Sequence, residues 1–181
     1  MVSQIMREHR AVKPTNNELF LLKEEVIVSK TDTAGVITYA NPVFCKLAGY
    51  PLHQLIGAPH NLIRHPDMPR CVFRLLWERI SAGHEIFAFV KNMSRSGDFY
   101  WVLAHVTPTY DLNHNIIGYH SNRRSPDQKC VDTIAGIYSQ LRTIELASEH
   151  KEGIEKSTKA LNDLLDSKNM SYDEFIFTLI P

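Results

Sequence analysis

Residues 26–49, VIVSKTDTAGVITYANPVFCKLAG, predict two strands and a helix in direct succession. The segment 26–31, which is rich in β-branched residues, and the segment 36–40 flank a four-residue turn that ends in glycine, which is the pattern of a β-hairpin. Asn41 favours a helix N-cap, because its side-chain oxygen can accept a bond from a free backbone N–H, and the proline after it suits the first helical position. Gly49 indicates where the helix ends. The stretch therefore predicts a hairpin followed at once by a short helix.

Downstream, three further strands are separated by turns rich in glycine, asparagine and aspartate. We expect these strands over 86–93, 99–107 and 116–122, connected by hairpins, which makes a five-stranded antiparallel sheet. The segment 69–82 lies between the two groups of strands and carries apolar residues at helical spacing, and Gly83 follows it. The order of two strands, helices and three strands predicts an α+β domain with its helices on one face of the sheet.

The chain divides into three predicted parts: an N-terminal cap (1–24), the α+β domain (25–124) and a C-terminal helical extension (125–181). Gly153 is expected to interrupt the helices of the extension. Before it, apolar residues recur at heptad-like spacing, namely Val131, Ile134, Tyr138 and Leu141. Such a stripe could cover the open face of the sheet, or it could form a dimer or partner interface. We expect a homodimer through the helical segments.

The charge balance argues against two large classes of partner. Lys and Arg number 20, Asp and Glu also number 20, and the formal net charge is zero, which disfavours general binding to nucleic acid or to a membrane surface. No apolar run approaches about 18 residues, and the N-terminus lacks the apolar centre of a signal peptide. The three cysteines are far apart, which fits a reducing cytoplasm with neither a disulfide framework nor a zinc site.

Polar groups are concentrated in residues 60–67, which read HNLIRHPD. A guanidinium, two imidazoles and a carboxylate within eight positions suit a pocket for a polar, partly anionic ligand. The alternative is purely local structure. Asp67 could cap the helix that begins near Pro69, and Arg64 could pair with Asp67 on the surface.

The same region carries a family resemblance. Residues 32–41 follow the pattern Asp-x-x-Gly-x-Ile-x-Tyr-Ala-Asn, which resembles the general signature of PAS domains. The segments 59–69, 90–92 and 97–102 read PHNLIRHPDMP, VKN and GDFYWV, and they resemble the sensory PAS domain of bacterial aerotaxis receptors. This resemblance implies a PAS fold that holds FAD non-covalently and senses redox state.

The resemblance also implies a set of cofactor-binding residues. They are Asn41, His60, Arg64, His65, Asp67, Phe73, Trp77 and Asn92. The sequence departs from the receptors at Ile86, where they usually have tryptophan. The receptors also continue into a membrane anchor and a signalling coiled coil that this sequence does not contain, which predicts a PAS-only protein.

No catalytic constellation is visible, so the sequence predicts that the protein is not an enzyme. It predicts a cytoplasmic sensory protein that binds FAD and signals redox state or oxygen to a partner protein. A covalent flavin photoadduct of the light-oxygen-voltage type is not expected, because the Asn-Cys-Arg motif is absent around Asn61–Arg64.

Two other functions remain open from the sequence. The first is a ligand-free PAS module for dimerisation or interaction, whose pocket is filled by side chains such as Ile86 and Phe89. The second is a haem-binding gas sensor, with His84, His105 or His120 as the axial ligand. A flavin-dependent enzyme is disfavoured because no substrate site is apparent.

Overall fold

The elements of the computed structural model follow the predicted order closely. The structure describes residues 2–180; Met1 of the predicted cap and Pro181 of the predicted extension lie outside the described residues. The elements are α1 Val2–Ala11, β1 Ile27–Thr31, β2 Ile37–Ala40, α2 Pro42–Ala48, α3 Leu52–Leu55, a 3-10 helix His60–Ile63, α4 Arg70–Ser81, β3 Ile86–Met93, β4 Phe99–Tyr110, β5 Ile116–Arg124, α5 Gln128–Leu146, α6 His150–Ser167 and α7 Tyr172–Leu179. None of these helices is both long enough and apolar enough to cross a membrane.

The five strands form one antiparallel sheet in the order β2-β1-β5-β4-β3, as predicted. Strands that are consecutive in sequence lie side by side, except β2 and β3, because β5 pairs with β1 and joins the two hairpins. The two edges of the sheet are therefore β2 and β3. Strand β3 reaches the edge because its hairpin with β4 pairs it on one side only.

The predicted caps of α2 are confirmed. The Asn41 side-chain oxygen accepts a bond from Phe44 N at 3.1 Å, and Pro42 occupies the first helical position. Gly49 ends the helix with a φ of 73°, a left-handed conformation that glycine adopts without steric strain. These caps hold α2 directly against the hairpin that precedes it.

Alternation along β4 separates the two faces of the sheet. Tyr100, Val102, Ala104 and Val106 are buried on the inner face, which is covered by α2 to α4. The sequence left open whether Tyr100 or Trp101 points inward, and the structure places Tyr100 inside. Trp101 lies on the opposite face, where it stacks against Tyr138 of α5 with ring centroids 6.2 Å apart. The C-terminal helices therefore pack beside the domain rather than apart from it.

The C-terminal extension packs within the same chain. The stripe Val131, Ile134, Tyr138 and Leu141 is buried there, as expected if these helices cover the open face of the sheet. The prediction that Gly153 interrupts the helices is wrong, because this residue lies inside α6 and the break falls at 147–149. A Cβ atom at Gly153 would lie 2.4 Å from the Glu145 carbonyl oxygen, so this glycine allows α5 and α6 to approach closely.

Candidate ligand-binding site

A cavity of about 460 Å³ lies between the inner face of the sheet and the helices that cover it. This volume falls within the range of ordinary small-molecule pockets. Its floor comes from β1, β5, β4 and β3, and its cover comes from the 3-10 helix and α4. The middle of the floor is apolar, formed by Val90, Ala104 and Val106.

One end of the cavity is organised around Arg123, a side chain on β5 that is only 4% exposed. Its Nη2 donates to Ser29 Oγ and to His60 Nε2, both at 2.6 Å. Its Nη1 has no hydrogen-bond partner among the described residues. Burial lowers the pKa of Arg123 to about 10, so the guanidinium remains charged at neutral pH.

The neighbouring His60 is neutral. Burial, and then the charge of Arg123, lower the pKa of His60 to about 3. Because Arg123 donates to Nε2, the ring proton of the neutral imidazole resides on Nδ1. The ring also stacks on Phe44 with centroids 5.7 Å apart, which fixes its orientation.

Another part of the cavity wall is formed by Asn92, near the end of β3. This side chain is 4% exposed, and its Nδ2 has no partner within the described part of the chain. The backbone of Asn92 pairs with that of Arg64, which brings the residue after the 3-10 helix to the edge of the sheet. The Arg64 guanidinium then lies over the Phe73 ring at 4.3 Å and donates to Met68 O at 3.1 Å. Burial lowers the pKa of Arg64 to about 10.

Trp77 lines the cavity where it meets solvent, and its side chain is 39% exposed. It packs edge-to-face against Tyr119 of β5, with ring centroids 5.5 Å apart. Gly35 supports this position, because a Cβ atom there would lie 2.9 Å from the indole. The indole therefore stands at the opening, between α4 and the first hairpin.

The electrostatic character of the cavity is positive. Three arginines line it, Arg64, Arg74 and Arg123, and among the described residues no aspartate or glutamate does; of the three, Arg74 pairs with Glu78 at 2.8 Å. The site therefore favours a ligand with acceptor atoms or negative charge.

The structure brings five of the eight predicted site residues together. His60, Arg64, Phe73, Trp77 and Asn92 all line the cavity. They come from the 3-10 helix, the residue that follows it, α4 and β3, so elements distant in sequence converge on one volume.

Asn41, His65 and Asp67 lie elsewhere. The Asn41 side chain is fully used within the fold, since it accepts from Val28 N and Phe44 N and donates to Val26 O.

His65 is buried beside Phe99, and its Nδ1 accepts a bond from Asp67 N. The side chain of Asp67 is 65% exposed and pairs with Lys91 at 2.7 Å. The backbone at Arg64 is extended, so successive side chains point to opposite sides. For this reason a cluster that is continuous in sequence is divided in space.

The alternative prediction that Asp67 caps α4 is wrong. Pro69 occupies the N-cap position, and no side-chain cap bond forms there. A residue distant in sequence fills part of this role: Glu145 Oε1 on α5 accepts from Cys71 N at 2.9 Å.

Sequence reasoning missed Arg123, Ser121 and Ser29. The predicted last strand ended at residue 122, one position before Arg123. The available signal was the alternation of β5, which places Tyr119, Ser121 and Arg123 on one face. Polar residues at inward positions of a strand mark a site, because buried polar groups require partners.

Residues 37–123 match the family described as the PAS fold. This part of the chain is a PAS domain. The chain is 32% identical over 149 residues to the aerotaxis receptor of Escherichia coli (strain K12), an alignment that covers 82% of this chain and 29% of the receptor. It is 30% identical over 99 residues to the nitrogen fixation regulatory protein of Klebsiella pneumoniae, covering 55% of this chain and 20% of that protein.

The PAS domain also resembles solved structures. The light-state structure of the blue-light photoreceptor Aureochrome1 LOV superimposes with a TM-score of 0.53 and 24% identity, covering 65% of this chain and 91% of that one. This likeness shows the fold. The chain spans less than a third of the length of the two curated relatives. The predicted resemblance to aerotaxis receptors is confirmed, and the relatives are sensory and regulatory proteins by name.

The residues that line the cavity also test the two other functions that the sequence left open, a ligand-free module and a haem-binding gas sensor. Phe89 packs away from the inner face, and Ile86, although buried on that face, does not line the cavity. These side chains therefore do not fill the pocket. His84, His105 and His120 do not line it either, and the cavity histidine, His60, has its Nε2 engaged by Arg123.

Proposed function

We propose that this PAS domain binds FAD non-covalently and signals redox state or oxygen to a partner protein. The observation that carries the proposal is a set of buried donors that have no partner in the described part of the chain and surround an apolar floor: Arg123 Nη1, Ser121 Oγ and Asn92 Nδ2. A buried donor that lacks a hydrogen bond costs roughly 1–3 kcal/mol, so three of them around one volume favour a bound ligand.

The residues present fit a flavin. Val90, Ala104 and Val106 give a flat apolar surface for a planar ring, and Trp77 can pack against it. The donors around the floor suit the carbonyl oxygens and ring nitrogens of an isoalloxazine. The phosphates of FAD suit the solvent end, where Arg74 lies with 47% of its side chain exposed.

The signalling step is proposed to pass through β3. When bound, the flavin would supply hydrogen-bonding groups that change with its redox state. Asn92 would respond to that change, and its strand is coupled to the C-terminal helices at two points. Tyr138 of α5 donates to Phe89 O at 2.9 Å, and Phe177 of α7 packs on Phe87 with ring centroids 5.0 Å apart. A small shift of this edge strand would therefore change how α5 and α7 pack.

The decisive test is an absorption spectrum of the purified protein before and after dithionite, followed by release and identification of the chromophore. We expect flavin bands that bleach on reduction, and release of FAD rather than FMN. A colourless protein that cannot be reconstituted with FAD would overturn the proposal. A Soret band would favour the haem alternative instead.

A matched pair of variants locates the site. Asn92→Leu removes a cavity donor and is expected to weaken FAD binding by about 10- to 100-fold, the equivalent of one or two hydrogen bonds. Asn122→Leu makes the same substitution on the outer face of β5, and FAD binding should be unchanged. Equal affinities in the two variants would place the ligand elsewhere.

A cytoplasmic location, the absence of enzyme activity and a homodimer through the helical segments remain predictions. The dimer is supported by exposed apolar side chains on those helices, Leu146 of α5 and Phe177 of α7. Analytical ultracentrifugation of the wild type and of Leu146→Lys tests the dimer, since the variant should be monomeric.

A further inference from the structure

Arg123 is a buried cation without a counter-ion. Its hydrogen-bond partners are the Ser29 hydroxyl and the His60 ring, and its guanidinium lies 5.1 Å from the centre of the Phe44 ring. No carboxylate lies among these partners in the described part of the chain. Arg123 differs in this respect from Arg74, whose side chain is 47% exposed and pairs with Glu78.

Among the described residues near Arg123, none supplies the missing negative charge. His60 is neutral, because its pKa is lowered to about 3. Burial raises the pKa of Tyr100 on the neighbouring strand, so its hydroxyl also stays neutral, and that hydroxyl has no partner among residues 2–180. Removing a cation from water without an anion costs several kcal/mol. The deep end of the cavity therefore suits a ligand that brings acceptor atoms or charge of its own.

We propose that Arg123, assisted by Ser121, binds the acceptor-rich edge of the flavin ring and raises its reduction potential. This inference rests on the proposed function. The ring, rather than the phosphates, is assigned to this end because Arg123 is almost fully buried. The more exposed Arg74 and Trp77 mark the end from which a longer ligand reaches solvent.

The effect on potential follows from charge balance. A flavin ring that gains two electrons from a donor and takes up one proton gains one net negative charge. A fixed cation in a weakly polar site stabilises that charge more than it stabilises the oxidised ring. Because Arg123 does not lose its proton at neutral pH, its contribution is present in both redox states, and it favours the reduced one.

Ser121 adds a second donor on the same strand. It is buried, it lines the cavity, and its hydroxyl has no partner within the described residues. It lies two positions before Arg123 on β5 and therefore on the same face of the sheet. Its bond to the ring edge is dipolar, so its effect on the potential is smaller than that of the charge.

The test compares midpoint potentials of the FAD-loaded protein in a dithionite titration with a reference dye. We expect Arg123→Gln to bind FAD and to lower the potential by at least about 30 mV, which is a tenfold change for a two-electron couple. Arg123→Lys, which keeps the charge, should lower it less. Arg124→Gln is the matched control, because this neighbouring side chain is exposed on the other face of the sheet. The midpoint potential of this variant should equal that of the wild type.

The outcomes separate this inference from the proposed function. If the wild type binds FAD and Arg123→Gln has the wild-type potential, the inference is wrong and the function stands. If the wild type binds no flavin, both are wrong. If Arg123→Gln does not fold, Arg123→Lys and Ser121→Ala decide, since both should lower the potential, and wild-type potentials in both would overturn the inference.

Discussion

Two buried charged side chains, Glu145 in the C-terminal helices and Arg123 in the cavity, are treated in opposite ways by this protein. Glu145 accepts bonds from Cys71 N at 2.9 Å and Ser157 Oγ at 3.0 Å, and it pairs with Arg142 at 3.3 Å. Arg123 has two neutral partners and one nitrogen with none among the described residues. The carboxylate of Glu145, which joins the helices, therefore has hydrogen-bond partners for both oxygens, whereas the guanidinium of Arg123, which lines the cavity, does not have partners for all its nitrogens in the described part of the chain. For these two charged groups, the nitrogen without a hydrogen-bond partner among the described residues lies at the cavity.

The region around Glu145 is also the outer support of the cavity. Glu145 lies on α5, Ser157 on α6 and Cys71 in the first turn of α4, so one carboxylate joins three helices. The same α4 carries Phe73 and Trp77 into the cavity. The structural region thus fixes the position of residues in the binding region.

Removing the Glu145 carboxylate should produce the largest effect on stability. Glu145→Ala leaves Cys71 N and Ser157 Oγ without their acceptor and Arg142 without its anion. We expect the free energy of unfolding to fall by about 3 kcal/mol. Urea denaturation followed by circular dichroism measures it. Glu145→Gln keeps an acceptor and should lose less. A loss below about 1 kcal/mol for Glu145→Ala would contradict the contrast between the two charges.

Acidification should lower the stability of the protein, because His60 in the cavity is held neutral. In the unfolded chain His60 takes up a proton near pH 6.5, whereas in the folded protein it stays neutral until about pH 3. The unfolded state therefore binds more protons between these values, and stability falls as pH decreases. In ligand-free protein at pH 5, His60 should account for a loss of about 1–2 kcal/mol relative to pH 7.5.

His60→Gln isolates this contribution, because the glutamine oxygen can still accept from Arg123 but does not titrate. Urea denaturation at pH 7.5 and pH 5 should show a smaller loss for the variant than for the wild type. The same difference should shrink in an Arg123→Met background, because the guanidinium is the second cause of the low pKa. Parallel losses in wild type and variant would show that His60 is not held neutral.

Neutralising Arg123 should cost the ligand-free protein much less than removing Glu145. Arg123→Met loses two hydrogen bonds but no longer buries a lone cation, and these effects oppose one another. We expect the free energy of unfolding to change by about 1 kcal/mol or less, measured on protein stripped of ligand. A loss as large as that of Glu145→Ala would identify Arg123 as a structural residue.

The sequence predicts much of the fold because its signals are local. The glycine turn at 32–35, the Asn41 cap and the alternation of β4 each act within a few residues, and each is confirmed. Gly153 misleads for the opposite reason. Its role is a close contact with α5, which only the packed helices reveal.

The candidate site is predictable only in part, for the same reason. His60, Arg64 and Asn92 stand in motifs that resemble a family, so they could be named from the sequence. Arg123 follows the end of the predicted strand, and its importance depends on Ser29 and His60, which are distant in sequence. Asp67 shares a motif with Arg64 but does not line the cavity. The sequence could not predict this, because a motif does not show which side of an extended segment a residue occupies.

Substitution of Asp67 is therefore expected to have the smallest effect on stability. It also tests where the cavity ends and the structural region around Glu145 begins. The Asp67 carboxylate is mostly exposed and pairs with Lys91 beside α5, outside the cavity that Arg123 lines. Asp67→Asn should lower the free energy of unfolding by no more than about 0.5 kcal/mol, since exposed ion pairs contribute little. FAD affinity, measured by fluorescence titration, should remain within about twofold of the wild type. A tenfold loss of affinity would extend the binding region to the far side of this segment, and the separation of a satisfied structural charge from an unsatisfied binding charge would no longer hold there.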